Sequence, residues 1–138
     1  MVVALDSNVF IAFIEQDANF FAPAAKIMQK IKSGGLRATY SSIVYGEVMR
    51  MPRGTSLEPI KQFFDDLGGK DYPADRAVCS KGAELRHNYP GLKLPDAIHL
   101  ATAIIAQADT FITADKRLLA IAKQEMAAIY LKDFPTHG

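Results

Sequence analysis

A single cysteine, Cys79, leaves the 138-residue chain with no possible internal disulfide and without the thiolate clusters that hold structural zinc. Charge of neither sign dominates. Sixteen Lys plus Arg against fifteen Asp plus Glu give a formal net charge of +1 at pH 7, which excludes both an evidently basic nucleic-acid-binding face and an acidic tail. No uninterrupted apolar run approaches the ~20 residues of a membrane span, and no positively charged, apolar-cored leader opens the sequence. The expectation is a reduced, cytoplasmic protein with no membrane association. Repeats, low-complexity tracts and linkers are also missing. What is present, 49% apolar and 22% charged residues, is the composition of one globular domain spanning residues 1–138. At this length folding buries roughly two thirds of the surface that the unfolded chain exposes, so no staple is needed.

Val2 to Leu5 is a short continuous apolar run that stops abruptly at Asp6, the pattern of a buried parallel strand. Ser7 or Asn8 is placed to cap a helix reaching Phe13 or Glu15. A second helix carries Phe20, Ala24, Ile27, Met28 and Ile31 at 3.6-residue spacing and ends at Gly34-Gly35. Leu36 to Tyr40 reads as a strand, and Ser41 or Ser42 as the cap of a helix to about Met51. Thr55 and Glu58 form a capping-box pattern for a helix to Leu67, closed by Gly68-Gly69. Lys70 to Tyr72 reads as an edge strand and Asp75 to His87 as a helix. Pro95 suits the first turn of a helix to about Gln107, which is apolar on nearly every face and therefore central. Thr110 to Thr113, Lys116 to Glu125 and Ala127 to Leu131 complete the pattern as strand, helix and strand. Strands alternating with helices predict an α/β fold with a mostly parallel sheet of four or five short strands flanked by helices.

Nine acids, Glu15, Asp17, Glu58, Asp65, Asp66, Asp71, Asp75, Glu84 and Glu125, fall on solvated faces, where charged residues belong. Four others do not. Asp6 ends the first apolar strand, at the sheet edge where α/β proteins bind ligands. Asp115 stands just beyond Thr113 at a second strand-to-helix turn, where it serves equally as a helix N-cap. Glu47 lies among Ile43, Val44, Val48 and Met51 on the inward stripe of its helix, so its carboxylate is either buried against a cation or paired with Arg50 three residues on. Asp96 begins the central helix and shares a face with Leu100 and Ile104; the helix dipole alone would favour it there by only ~0.3–1 kcal/mol.

Carboxylates converge only when something cancels their repulsion, and hard oxygen donors select Mg²⁺ or Mn²⁺. Zinc is disfavoured because Cys79 is solitary and His87, His99 and His137 show no ligand spacing. His99, three residues after Asp96, is within reach of the same place but reads first as a hydrogen-bonded core residue. A divalent cation among carboxylates suits phosphodiester hydrolysis. A polyphosphate substrate also needs positive charge nearby. Lys93 precedes Asp96, Lys116 and Arg117 follow Asp115, and Arg50 and Arg53 follow Glu47.

The segments Leu-Asp6-Ser-Asn8-Val-Phe-Ile, Ile-Val-Tyr-Gly-Glu47-Val, Leu-Pro-Asp96-Ala-Ile-His-Leu-Ala-Thr-Ala and Phe-Ile-Thr113-Ala-Asp115-Lys-Arg-Leu together resemble the PIN-domain family, and within it the VapC-type toxins of toxin–antitoxin pairs. Each segment is weak alone; four in this order and spacing are specific. The resemblance implies an α/β/α sandwich and an endoribonuclease dependent on Mg²⁺ or Mn²⁺. It also implies a homodimer neutralised by a cognate antitoxin protein. Asp6, Glu47, Asp96 and Asp115 fall on the family's acidic, metal-holding positions, and Asn8 and Thr113 on the polar positions that orient them. Other readings fit less well. A HAD-type phosphatase wants a second Asp where Asn8 stands, and a response-regulator receiver wants paired acids after the first strand. The rival of another class is a PIN-like protein-binding module with weak or no catalysis. If the four acids share one pocket, they take −4 of the +1 total and leave +5 on the rest of the chain, a distribution suited to drawing RNA inward.

Overall fold

The apolar run Val2–Leu5 forms β1, the middle strand of a five-stranded, all-parallel sheet in a computed structural model that describes residues 1–68 and 70–136. Gly69 of the predicted break and His137 lie outside the described residues. After β1 come α1 (Ser7–Ile14), α2 (Phe21–Lys32), β2 (Arg37–Ser41), α3 (Ile43–Val48), α4 (Glu58–Leu67), β3 (Lys70–Tyr72), α5 (Arg76–Asn88), α6 (Leu94–Ile105), β4 (Thr110–Thr113), α7 (Lys116–Glu125) and β5 (Ala128–Tyr130), with a 3-10 turn at Leu131–Asp133. The strand order is β3-β2-β1-β4-β5. The chain thus winds outward from β1 through β2 to β3, then returns to place β4 on the other side of β1.

Alternation along β1 divides the core. Val3 and Leu5 point into a cluster with Phe10, Ile27, Tyr40, Val44 and Phe64, so α1 to α4 cover one face. Ala4 points the other way, with Phe111, Val78, Leu85, Ile98, Leu100 and Leu118, so α5 to α7 cover the second. This is the α/β/α sandwich expected. Seven consecutive residues of α6, Ala97 to Ala103, are buried, as its apolar circumference predicted. Gly82 of α5 permits that burial. A Cβ added there would stand 3.2 Å from Ile98 Cδ1, so a side chain at this position would require Ile98 to give way.

Several local expectations fail for identifiable reasons. Asp6 itself, not Ser7 or Asn8, is the N-cap of α1 and accepts from Ser7 N. The Thr55–Glu58 capping box does not form; Leu57 is the N-cap of α4, and Ser56 Oγ accepts from Glu58 N at 3.2 Å. Helix α3 ends at Val48 rather than Met51, and Met51 is exposed instead of joining the inward stripe. Pro52 accounts for Met51 lying outside the helix, because a residue before proline is pushed out of helical geometry. Among the described residues no helix is long and apolar enough to cross a membrane.

Candidate active site

The reversal of strand order between β1 and β4 opens a crevice at their carboxyl ends, the place where open α/β sheets bind ligands. Register fills it. Leu5 pairs with Ile112, and Asp6 N donates to Ile112 O at 3.0 Å, so the next residues on the two strands, Asp6 and Thr113, meet side by side. Thr113 Oγ1 donates to Asp6 Oδ2 at 2.7 Å, Asn8 Nδ2 donates to the same oxygen at 2.9 Å, and Ser7 N donates to Oδ1 at 2.8 Å. Asn8 Oδ1 accepts from Ala114 N, and Thr113 Oγ1 accepts from Asp115 N, which joins the two strand-end turns. Asp6 is only 2% exposed. Its burial raises the pKa of the carboxyl, against the opposing pull of His99, Thr113 and Ser7, and the negative charge of Glu47 adds to the rise.

Asp115 is both the N-cap of α7, with Oδ1 accepting from Arg117 N at 2.9 Å and Leu118 N at 3.3 Å, and a wall of the crevice. Its capping role and its place at the site are therefore not alternatives. Asp96, in the first turn of α6, faces the same small cavity of about 110 Å³, with Lys93 and Arg117 beside it and Pro90, Gly91, Leu92, Leu118 and Ile121 as the apolar wall. Burial raises the pKa of Asp96, and so do the charges of Asp6, Asp115 and Glu47, while His99 opposes them. The four carboxylates thus act on one another electrostatically. Of the basic residues, Lys93 and Arg117 line this cavity. Lys116 turns away to stand over the Tyr130 ring at 5.5 Å, and Arg50 and Arg53 are exposed in the segment after α3. All nine acids expected on solvated faces are exposed.

Glu47 does project inward from α3, but its partner is not Arg50. It bonds through Oε1 to Nε2 of His99, which is 2% exposed on α6 and lies 3.8 Å from Asp6 Oδ1. Burial raises the Glu47 pKa, yet the His99 hydrogen bond and charge, with a hydrogen bond from the Ser7 side chain, outweigh it and leave the carboxyl below its ordinary value. For His99 burial pulls downward, but Glu47, Asp6 and Asp96 together hold the imidazole above its ordinary value. His99 is the site residue that sequence reasoning set aside as core. The only signal was its spacing, three residues after Asp96, which puts both on one face of α6.

The donor set is chemically suited to a hard divalent cation, because mutual repulsion of ionised carboxylates is what such a cation relieves. It is gathered rather than closed: among the described residues no three His, Cys, Asp or Glu side chains form a ready-made metal cage. Asp6 and Asp115 each commit oxygens to backbone or side-chain donors, and Glu47 commits one to His99.

No curated protein matches the sequence. Solved structures do match the fold. A toxin–antitoxin complex from Klebsiella pneumoniae is 21% identical with a TM-score of 0.64, over 87% of this chain and 91% of that one. VapBC2 from Rickettsia felis, bound to a DNA fragment from its promoter, is 15% identical with a TM-score of 0.71, over 94% and 98%. FitAcB from Neisseria gonorrhoeae is 17% identical with a TM-score of 0.68, over 96% and 99%. The family model of the PIN domain matches residues 3–124, from within β1 to near the end of α7, and so encloses all four acids. A parallel sheet whose strand-end acids meet at its switch point, under a family match covering most of the chain, makes this protein a member of the PIN-domain family.

Proposed function

We propose that this protein is an endoribonuclease that hydrolyses RNA phosphodiester bonds with Mg²⁺ or Mn²⁺, and that it acts as the toxin of a type II toxin–antitoxin pair. What supports the reading is that, in a PIN fold, Thr113 bonds both Asp6 and the backbone of Asp115, His99 faces both Glu47 and Asp6, and Asp96 and Asp115 line one cavity. Those four carboxylates would hold the cation, which supplies Lewis acidity and charge neutralisation for the displacement at phosphorus. Asp6 acts from a fixed position, because Ser7, Asn8 and Thr113 hold both its oxygens. Lys93 and Arg117 bind the phosphates flanking the scissile one; Arg50, Arg53 and Lys116 do not line this cavity and add only to the general field.

Incubating purified protein with RNA tests this. Cleavage is expected with Mg²⁺ or Mn²⁺, none with chelator, and a loss of at least a hundredfold in Asp6→Asn and Asp96→Asn. If wild type and both variants behave alike under nuclease-free conditions, the enzymatic reading is wrong. The open state of the donor set favours one other reading, a PIN-fold binding module without catalysis, and the same assay separates the two.

The similar solved structures are toxin–antitoxin complexes, which supports an antitoxin partner encoded beside this chain. An apolar groove between α1, α2 and α4, lined by Phe13, Ala25, Met28 and Phe63, offers such a partner surface to cover. Growth arrest on induction, relieved by the neighbouring reading frame, is the expected phenotype. The family resemblance further implies a homodimer, which light scattering of the purified chain tests.

A further inference from the structure

We propose that His99 is a positioning residue that holds Glu47 in place beside Asp6, so that the fourth carboxylate joins the cation site chiefly through this imidazole, with Ser7 as a lesser partner. The inference rests on the metal-dependent reading above. Glu47 belongs to the shortest α-helix among the described residues, six residues long, followed by an exposed segment from Arg50 to Ser56. Nothing in that element immobilises a side chain with three rotatable bonds. His99 sits on the most buried helix and bonds Glu47 Oε1 through Nε2, with Asp6 Oδ1 3.8 Å from the same nitrogen. One imidazole edge therefore faces both carboxylates.

The other edge argues against a purely structural role. His99 Nδ1 is buried and has no hydrogen-bond partner among the described residues. A buried polar atom without a partner costs stability. A histidine kept only for packing would be better replaced by an apolar side chain of similar size. What it offers in return is the grip on Glu47. A carboxylate already ordered loses less side-chain freedom when it engages a cation, and outer partners of this kind alter metal affinity by about 10–100-fold.

The test is Mn²⁺ titration of the full chain, with free Mn²⁺ read by electron paramagnetic resonance and folding by circular dichroism. His99→Leu is expected to bind Mn²⁺ about tenfold more weakly while staying folded. His99→Gln, whose amide nitrogen overlays Nε2, is expected to restore binding to within about threefold; His99→Asn, which overlays Nδ1, is not. Glu47→Gln should lose as much as His99→Leu, and the double variant no more than either. Unchanged binding in both His99→Leu and His99→Asn overturns the proposal, as do losses that multiply in the double variant. Should wild type bind no Mn²⁺, or Asp96→Asn bind as wild type does, the metal reading itself fails and this inference with it.

Discussion

Thr113 shows how much a single hydroxyl does at this site. It is fully buried, donates to Asp6 at 2.7 Å and accepts from Asp115 N at 3.0 Å, so one oxygen ties two acids from opposite ends of the chain. Thr113→Val keeps the shape and removes both bonds together with a third, from Asn8 Nδ2 at 3.3 Å. It is expected to cost about 1–3 kcal/mol in urea unfolding, because Asp115 N and Asp6 lose a partner, and to lower cleavage although Thr113 is assigned no contact with RNA. Asp96 has the opposite sign. Its folded pKa is raised, first by burial and then by Asp6 and Asp115, so its favourable contribution is complete below the ordinary carboxyl pKa and is lost as pH rises through the folded value. At pH 7 without metal the ionised group is therefore a burden. Asp96→Asn should raise the melting temperature at pH 7, with the gain shrinking as pH falls toward 4. A lower melting temperature at pH 7 would contradict this. Asp6, Asp96 and Asp115 were legible as exceptions because each stands at a strand end or the start of an inward helix, positions that local pattern reveals. His99 was not. A buried histidine looks the same in sequence whether it is packed or gripping a carboxylate 52 residues away.

Elements follow their sequence periodicity where the pattern is long and drift where it depends on a single cap. The spans of β1, β3, β4 and α7 agree with those expected from the sequence, while α1 and α4 take caps other than the first available Ser or Thr. Ser, Thr and Asp compete for the same orphan N–H groups within two or three residues, so spacing alone does not choose among them. The shortening of α3 matters more, since it leaves Arg50 outside the helix and beyond the i,i+3 geometry that would pair it with Glu47. Packing of α5 on α6 decides where Asp96 and His99 stand, and Gly82 lies against Ile98 and Ala97 in it. Gly82→Val forces Ile98 aside and is expected to destabilise by about 1–3 kcal/mol, measured by urea unfolding, with a loss of cleavage larger than global unfolding explains. Wild-type stability in that variant would mean that Ile98 simply changes rotamer.

For the whole molecule, a near-neutral total conceals an arrangement. Four acids line the switch point, and the +5 on the rest of the chain is not spread evenly around it: Lys93 and Arg117 stand at the cavity, whereas Lys116 turns to Tyr130. On the ribonuclease reading, Lys93→Ala or Arg117→Ala should lower kcat/KM by about tenfold, and each should flatten the salt dependence by roughly the −0.7 log unit that one contact to a single strand contributes. Arg53→Ala should stay within about twofold. Initial rates across a series of salt concentrations decide between these outcomes, and equal losses for all three would mean a diffuse field rather than local phosphate contacts. The sequence by itself determined the alternation of strands and helices, the central buried α6, and the acids stationed at strand ends, because each of these is set by residues within a few positions of one another. Only the tertiary structure decided that β4 lies beside β1, which brings Thr113 to Asp6, that His99 meets Glu47, and which cations face the acids. The first two are contacts between residues 107 and 52 positions apart, made by packing whole helices on a sheet, and no local pattern encodes which partner each side chain will find.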